Sequence, residues 1–437
     1  VGEATSPEAR HLGRIRSSST TKDDEMNHQP ENGSVPPQQP VLVVGEYGVL
    51  NGGERSFLAV AERMIARQWS YVASVPRDSP FEKALQRIGI RNVGLTTHLP
   101  DGARLSQIEL RDQIAGLVGD VQPCLIHANS LSMSRIVGPL DVGVPSVGYL
   151  RDILKLSKKA TADINQNNRI VAVSNATARW HVAQGLDADR VATVYNGVND
   201  QVFRPLGGCE GESNAEVDVQ RAAAVQQLRA EFGFVPDDCV LLYVGQIGMR
   251  KGIRDLAEIF LQAAQQVAQL KLLVVGERHS TKAEAIEYER EIHEQLEASP
   301  FGQNVKWLGR REDVADLMRL ADVLLHPARQ EPLGRVLLEA SASALPIITT
   351  NVGGSAEILS GPLATDNLIA VGDNERIVQR VVDVCSDLDL RLLIGQEQRQ
   401  VALQRFSVAQ CCESLSGVYF ATLERYRLAT QDLEGDR

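Results

Sequence analysis

The stretch Glu331-Pro-Leu-Gly-Arg-Val-Leu-Leu-Glu339, preceded by Ala321-Asp-Val-Leu-Leu-His-Pro327, decides the reading of the chain. The upstream run is apolar and halts at Pro327, which has no N–H for a ladder, so it reads as a buried strand ending there. Glu331 and Pro332 fall in a turn. Gly334 or Arg335 then opens a helix with Val336, Leu337 and Ala340 on its apolar face. A helix N-terminus offers free N–H groups and a positive dipole end, both suited to phosphate. Glu331 precedes that tip, and Glu339 lies about 8 Å along the axis from the helix start. Two carboxylates bracketing a phosphate-binding tip suit an elongated ligand with phosphate at its middle. The same spacing also arises from two incidental glutamates on a strand-loop-helix unit.

Working outward, the same strand-helix alternation recurs. Val240-Leu-Leu-Tyr-Val-Gly245, Leu272-Leu-Val-Val-Gly276, Val305-Lys-Trp-Leu-Gly309 and Pro346-Ile-Ile-Thr349 are short apolar runs, most of them closed by glycine. Gly245-Gln-Ile-Gly-Met-Arg-Lys-Gly252 sets Arg250 and Lys251 between a strand and a helix starting near Gly252. Cations there neutralise a departing phosphate; solvated loop charges are the alternative. A first series opens at Val41-Leu-Val-Val-Gly45 and continues through Tyr71, Val93, Cys124-Leu-Ile-His127, Ser146-Val-Gly-Tyr149, Ile170-Val-Ala-Val173 and Val191-Ala-Thr-Val194. Alternation of this kind marks open α/β sheets, and two in succession place their strand ends at a shared cleft. Gly52-Gly53 reads as a loop leading into a helix from Phe57 to Arg67. It is not a Gly-x-Gly-x-x-Gly fingerprint, so a nicotinamide cofactor loses support. His127 closes a strand, where a lone histidine is more often structural than turned to the cleft, His326 also reads as structural, and Arg151-Asp152 reads as a local ion pair or an acceptor contact.

The 437 residues suffice for two domains. The expected division is a disordered polar segment over 1–40, α/β domains over 41–205 and 236–405, a linker or insertion over 206–235, and a closing helix and tail over 406–437. A net charge of −11 argues against nucleic acid as a partner. No apolar run reaches a membrane span and no signal-peptide pattern opens the chain, so a cytoplasmic location without a transmembrane segment is expected. The six cysteines lack Cys-x-x-Cys spacing and read as reduced thiols rather than a zinc site.

The residues Glu331 to Glu339, continued by Ala-Leu-Pro-Ile-Ile-Thr-Thr-Asn-Val-Gly-Gly-Ser-Ala-Glu357, form a specific pattern. They stand in order behind Asn51-Gly-Gly-Glu54, Val171-Ala-Val-Ser-Asn-Ala-Thr177, Val194-Tyr-Asn-Gly-Val198, Phe203-Arg-Pro205 and Arg250-Lys-Gly252. From about Val41 onward the chain resembles the retaining GT-B glycosyltransferases of family 4, with the "glycosyl transferases group 1" C-terminal domain. The resemblance implies two Rossmann-like α/β domains facing a central cleft, with the C-terminal helix packing back toward the N-terminal domain. It implies a nucleotide-sugar donor as co-substrate, a glycan, lipid-linked or small-molecule acceptor, and no metal.

The resemblance also assigns roles. Glu331 lies beside the transferred sugar and Glu339 holds the ribose. Lys251 holds the diphosphate, aided by Arg250 and by the backbone amides of Leu333 and Gly334; Pro332 has none to give. Gly309 and Arg310 lie near the base, Gly53 contacts the phosphate side, and His127 falls in the family's active-site histidine segment. There are two departures. Gln246 stands where an arginine is frequent, and Asn129 stands where the His-x-His segment would carry its second histidine. The expected reaction is sugar transfer with retention of configuration, and Glu331→Ala is expected to abolish turnover with the fold intact. A catalytically silent GT-B subunit and a sugar-nucleotide epimerase are the alternatives.

Overall fold

Parallel strands buried on both faces read as unbroken apolar runs, and these runs do form two parallel sheets. The computed structural model describes residues 36–207 and 215–435. The disorder expected over 1–40 therefore lies outside the described residues, apart from 36–40, and so do residues 208–214 with Cys209.

The first sheet has seven strands: β1 (Val41–Val44), β2 (Tyr71–Ser74), β3 (Arg91–Asn92), β4 (Leu125–Ala128), β5 (Ser146–Leu150), β6 (Arg169–Ala172) and β7 (Val191–Thr193), ordered β3-β2-β1-β4-β5-β6-β7. The second has six: β8 (Cys239–Val244), β9 (Leu270–Val275), β10 (Val305–Gly309), β11 (Val323–His326), β12 (Ile347–Thr350) and β13 (Leu368–Ile369), ordered β10-β9-β8-β11-β12-β13. Every strand pair is parallel, with Val43 beside His127 in the first sheet and Leu324 beside Leu242 in the second. Both orders reverse direction once, between β1 and β4 and between β8 and β11. Ligands of doubly wound sheets bind outside the strand ends at such reversals.

The closing helix, Val408–Gly435, leaves the second domain and packs on the first. Trp69 Nε1 donates to Ser416 Oγ at 3.1 Å, and Tyr419 inserts beneath β4 with its hydroxyl 2.6 Å from His127 Nδ1. Buried residues of this helix, including Cys412, Leu415 and Tyr419, join one apolar cluster with Phe57, Val60 and Trp69. The four other described cysteines besides Cys412 are also free thiols.

Two local expectations need correction. The first helix begins at Gly52 and runs to Ala66, so Gly52 and Gly53 form its first turn rather than a loop. Asn51 is its N-cap, and the Glu54 carboxylate accepts from the Asn51 N–H at 3.1 Å. This arrangement satisfies a donor that the helix start leaves orphaned. The segment 206–235 is not simply a linker, because Ala215–Phe232 is an 18-residue helix. Val225, Leu228 and Phe232 recur on one face of it and are buried in the main apolar cluster.

Candidate active site

The loops after β8 and β11, on either side of the reversal in the second sheet, are knitted together. A tight turn over Met249–Lys251 ends at Gly252, whose φ of +68° and whose place suit only glycine. A Cβ there would lie 1.8 Å from the Pro327 carbonyl oxygen. Arg329 N–H donates to the Arg250 carbonyl at 2.9 Å, and the Arg329 guanidinium forks onto Asp255 at 2.8 and 2.9 Å. This close approach delivers Lys251 to Glu331.

Glu331 is the centre of the cluster. Its Oε2 receives Lys251 Nζ in an ion pair and lies 2.9 Å from His326 Nε2. Burial alone would raise its pKa, but the Lys251 charge and the His326 hydrogen bond prevail and bring it down to about 2. His326 is fully buried, which lowers its own pKa, so a neutral ring donates from Nε2. The turn that carries Glu331 rests on a glycine pair. Gly354 N–H donates to the Glu331 carbonyl at 3.0 Å. Gly353 has a φ of +53°, and a Cβ on it would fall 1.8 Å from that same oxygen.

Gly334, at φ +101°, caps the helix Arg335–Ala342, so the helix begins where the spacing placed it. Glu339 lies inside, partly buried, with Oε1 2.7 Å from Arg335 Nε; desolvation raises its pKa against the opposing Arg335 charge. Arg335 also reaches Ser56 Oγ of the first domain at 3.1 Å. Leu333 is buried under the turn.

The remaining expected residues ring this centre. The Gln246 carbonyl accepts from the Tyr243 hydroxyl at 3.0 Å, and its side chain is half-buried. Gly309 takes φ +61° as the last residue of β10, and its carbonyl accepts from Gly276 N–H at 2.8 Å. Arg310 is half-exposed and pairs with Glu312 at 3.1 Å. Arg250 extends across the cleft to within 3.8 Å of Asp152. Asp152 therefore does not form a local pair with Arg151. Among the described residues no group of three or more His, Cys, Asp or Glu is placed to hold a metal ion.

In the first domain, Gly53 leaves room for Arg151, whose Cδ would be 3.0 Å from a Cβ at that position. His127 is fully buried and stacked on Tyr149, and its pKa falls to about 3 through burial and then the Arg151 charge. It thus sits behind the cleft surface, with Asn129 nearer the strand-end loop.

Sequence reasoning missed the contacts that close the two domains on each other. The Glu357 carboxylate accepts from the backbone N–H groups of Asn175 and Ala176 at 2.9 and 2.7 Å and from the Tyr195 hydroxyl at 2.8 Å. The Pro332 carbonyl accepts from Ser174 Oγ at 2.5 Å and Thr177 Oγ1 at 3.2 Å. Ser174-Asn-Ala-Thr177 is a legible N-cap pattern; that Glu357 would complete it from the other domain is not local information.

Known proteins match both halves of the chain. Residues 50–202 match the sequence model of the family described as Glycosyltransferase Family 4, and residues 225–401 match that described as Glycosyl transferases group 1. Putative glycosyltransferase EpsD of Bacillus subtilis (strain 168) is 30% identical over 229 residues, 52% of this chain and 54% of that protein. N-acetyl-alpha-D-glucosaminyl L-malate synthase of Bacillus anthracis is 24% identical over 261 residues, 60% of this chain and 61% of that protein. The chain thus spans between half and two thirds of the length of these curated relatives. The crystal structure of Anabaena Alr3699/HepE in complex with UDP and glucose superposes with a TM-score of 0.73 at 21% identity, covering 88% of this chain and 100% of that one. The fold is GT-B.

Proposed function

We propose, from the premise that this chain is a glycosyltransferase of the family-4 type, that it moves a sugar from a nucleoside-diphosphate sugar to an acceptor hydroxyl with retention of configuration. The observation that carries the reading is the Lys251–Glu331 pair beside the Gly334 helix tip, at the reversal of the second sheet. A cation, a helix N-terminus and a buried carboxylate there meet the needs of a departing diphosphate and of a sugar turning cationic. That HepE was crystallised with UDP-glucose supports a nucleotide-sugar donor.

In this proposal Lys251 leaves Glu331 in part to meet the diphosphate. Glu331, still held by His326, then faces the sugar. Glu339 takes the ribose hydroxyls once Arg335 yields, and Gly309 and Arg310 border the base. The bond from C1 to the phosphate oxygen breaks, and its electron pair departs with the diphosphate. The acceptor oxygen attacks the same face of the sugar and gives its proton to the leaving phosphate oxygen. Retention follows without a covalent enzyme intermediate, because the acceptor attacks the face that the diphosphate leaves and Glu331 forms no bond to C1. Lys251 and the helix tip carry the developing negative charge, so the route does not call on a metal.

The test is a panel of UDP-, GDP- and ADP-sugars read for thermal stabilisation and nucleoside diphosphate release. Stabilisation by one donor with slow release supports the reading. Stabilisation without release, even with acceptor mixtures, indicates a binding subunit, and neither effect with any donor rejects it.

A further inference from the structure

The stretch from Ile153 to Leu186 has a charge opposite in sign to that of the chain as a whole. It carries several Lys and Arg residues and a single carboxylate, Asp163, in a chain of net charge −11. Asp163 is buried 3.7 Å from Arg111, so it does not offset cations at the surface. Lys155, Lys158, Lys159 and Arg179 are all exposed, and none of them forms an ion pair among the described residues. Asp187 and Asp189 border this face, and Asp187 pairs with Arg190 at 3.2 Å.

Two large apolar side chains stand among these cations: Leu154 is 46% and Trp180 44% exposed. They are fixed to each other. Trp180 Nε1 donates to the Leu154 carbonyl at 3.1 Å, and Gln184 Nε2 donates to the same oxygen at 3.1 Å. Leu156 N–H returns a bond to Gln184 Oε1 at 2.8 Å. The loop after β5 is thereby pinned to the helix Asn175–Val182, and it runs straight into the helix Lys158–Ile164, whose first turn carries Lys158 and Lys159. The one polar atom of the indole is spent on backbone, so what the ring presents to solvent is apolar. A surface already held in place loses little conformational freedom when it binds.

We infer that this face docks on an anionic lipid bilayer, with Leu154 and Trp180 entering the headgroup region and the four cations meeting lipid phosphates. Lys and Arg near a negative membrane are attracted within about a Debye length. Trp is at home at the membrane–water boundary, and apolar side chains set among cations are the mark of interfacial binding. A soluble polyanion would satisfy the cations but would offer Leu154 and Trp180 no apolar surroundings, so the mixture selects the bilayer. The face begins at the cleft. The Ile153 carbonyl accepts from Gln330 Nε2 of the second domain at 2.5 Å, and Asp152 lies 3.8 Å from Arg250. A docked bilayer therefore lies beside the cleft mouth, where an acceptor carried on a lipid can enter without leaving the membrane. That consequence rests on the transferase reading; the docking does not.

The experiment sediments the full chain, without nucleotide, with vesicles of phosphatidylcholine alone or mixed with phosphatidylglycerol. Wild type should bind the anionic vesicles at least about tenfold more tightly than the neutral ones, and added salt should weaken that binding. Replacing Lys155, Lys158 and Lys159 together by Gln should weaken it about a hundredfold, on the order of fivefold per cation. Insertion should shift the Trp180 fluorescence to the blue; Trp180→Phe keeps the cations, so it should still sediment and should lose most of the shift. Thermal melts establish that each variant is folded. No sedimentation of wild type, or equal sedimentation of the lysine-substituted protein, would overturn the inference. Binding to soluble dextran sulfate as tight as to the vesicles, with no Trp180 shift on either, would also overturn it and assign the face to a soluble polyanion. Lysine-dependent vesicle binding in a chain that responds to no nucleotide-sugar would keep the docking and reject the transferase reading instead.

Discussion

Lys251 Nζ and the buried Glu331 Oε2 form a largely buried ion pair that joins the loop after β8 to the loop after β11. Removing one partner of such a pair leaves an uncompensated charge, at a typical cost of about 3–5 kcal/mol. Glu331→Gln keeps the shape and should lower nucleoside diphosphate release at least about a hundredfold. Glu331→Ala should lose both activity and several degrees of Tm, because Lys251 and His326 then lack their acceptor. The sequence alone led to the expectation of an intact fold for that variant. Melting curves beside turnover assays check both effects.

Gly353→Ala adds one methyl group, directed at the Glu331 carbonyl from a left-handed backbone. The turn must shift to admit it, and the Glu331 carboxylate shifts with it. Turnover is expected to fall at least about tenfold through a misplaced reacting group. Ala340→Gly, in the same region but free of that approach, should cost about 1 kcal/mol of helix propensity and roughly another 1 kcal/mol for the buried methyl. Parallel kinetics and melts of the two variants separate the effects.

Glu357 caps the helix Asn175–Val182 from the opposite domain. Losing a cap of this kind costs about 1 kcal/mol, here charged to domain closure rather than to either domain's own fold. Glu357→Ala should therefore leave the far-UV circular dichroism unchanged. It should raise the radius of gyration seen by X-ray scattering and speed proteolysis between the domains. An unchanged scattering profile would assign closure to the Pro332 contacts instead.

His127 gives a pH prediction with a definite sign. Its pKa is near 6.5 in an unfolded chain and about 3 here, so the unfolded state binds the extra proton between those values. The associated stability is complete above pH 6.5. It falls by up to about 1.4 kcal/mol per pH unit as the pH drops toward 3. Urea denaturation of His127→Gln should show a shallower decline from pH 6.5 to 4.5 than wild type. Some slope should remain from His181 and His326, whose pKa values burial also lowers.

Both sheets were legible because parallel strands announce themselves as apolar runs, four of them ended by glycine, and the helix after Gly334 was legible from its own spacing. The helix Ala215–Phe232 was obscured by the Gly-rich, acidic residues before it, although Val225, Leu228 and Phe232 carry the right period. The start at Gly52 was missed because two glycines disfavour a helix by about 1 kcal/mol each; Asn51 and Glu54 offset that locally. The depth of His127 depends on Tyr419, 292 positions away. No local pattern contains that contact, nor the reach of Glu357 across the cleft.

The most direct test of the donor site is calorimetric titration of the nucleoside diphosphate selected by the donor panel into wild type, Lys251→Ala and Glu339→Gln. A donor site at Lys251 and Glu339 requires binding by wild type, loss of at least about tenfold in affinity for Lys251→Ala, and a separate loss in Glu339→Gln that shrinks when the ribose is replaced by deoxyribose. Equal affinity in all three proteins would contradict it, because neither the cation beside Glu331 nor the carboxylate inside the helix would then touch the nucleotide.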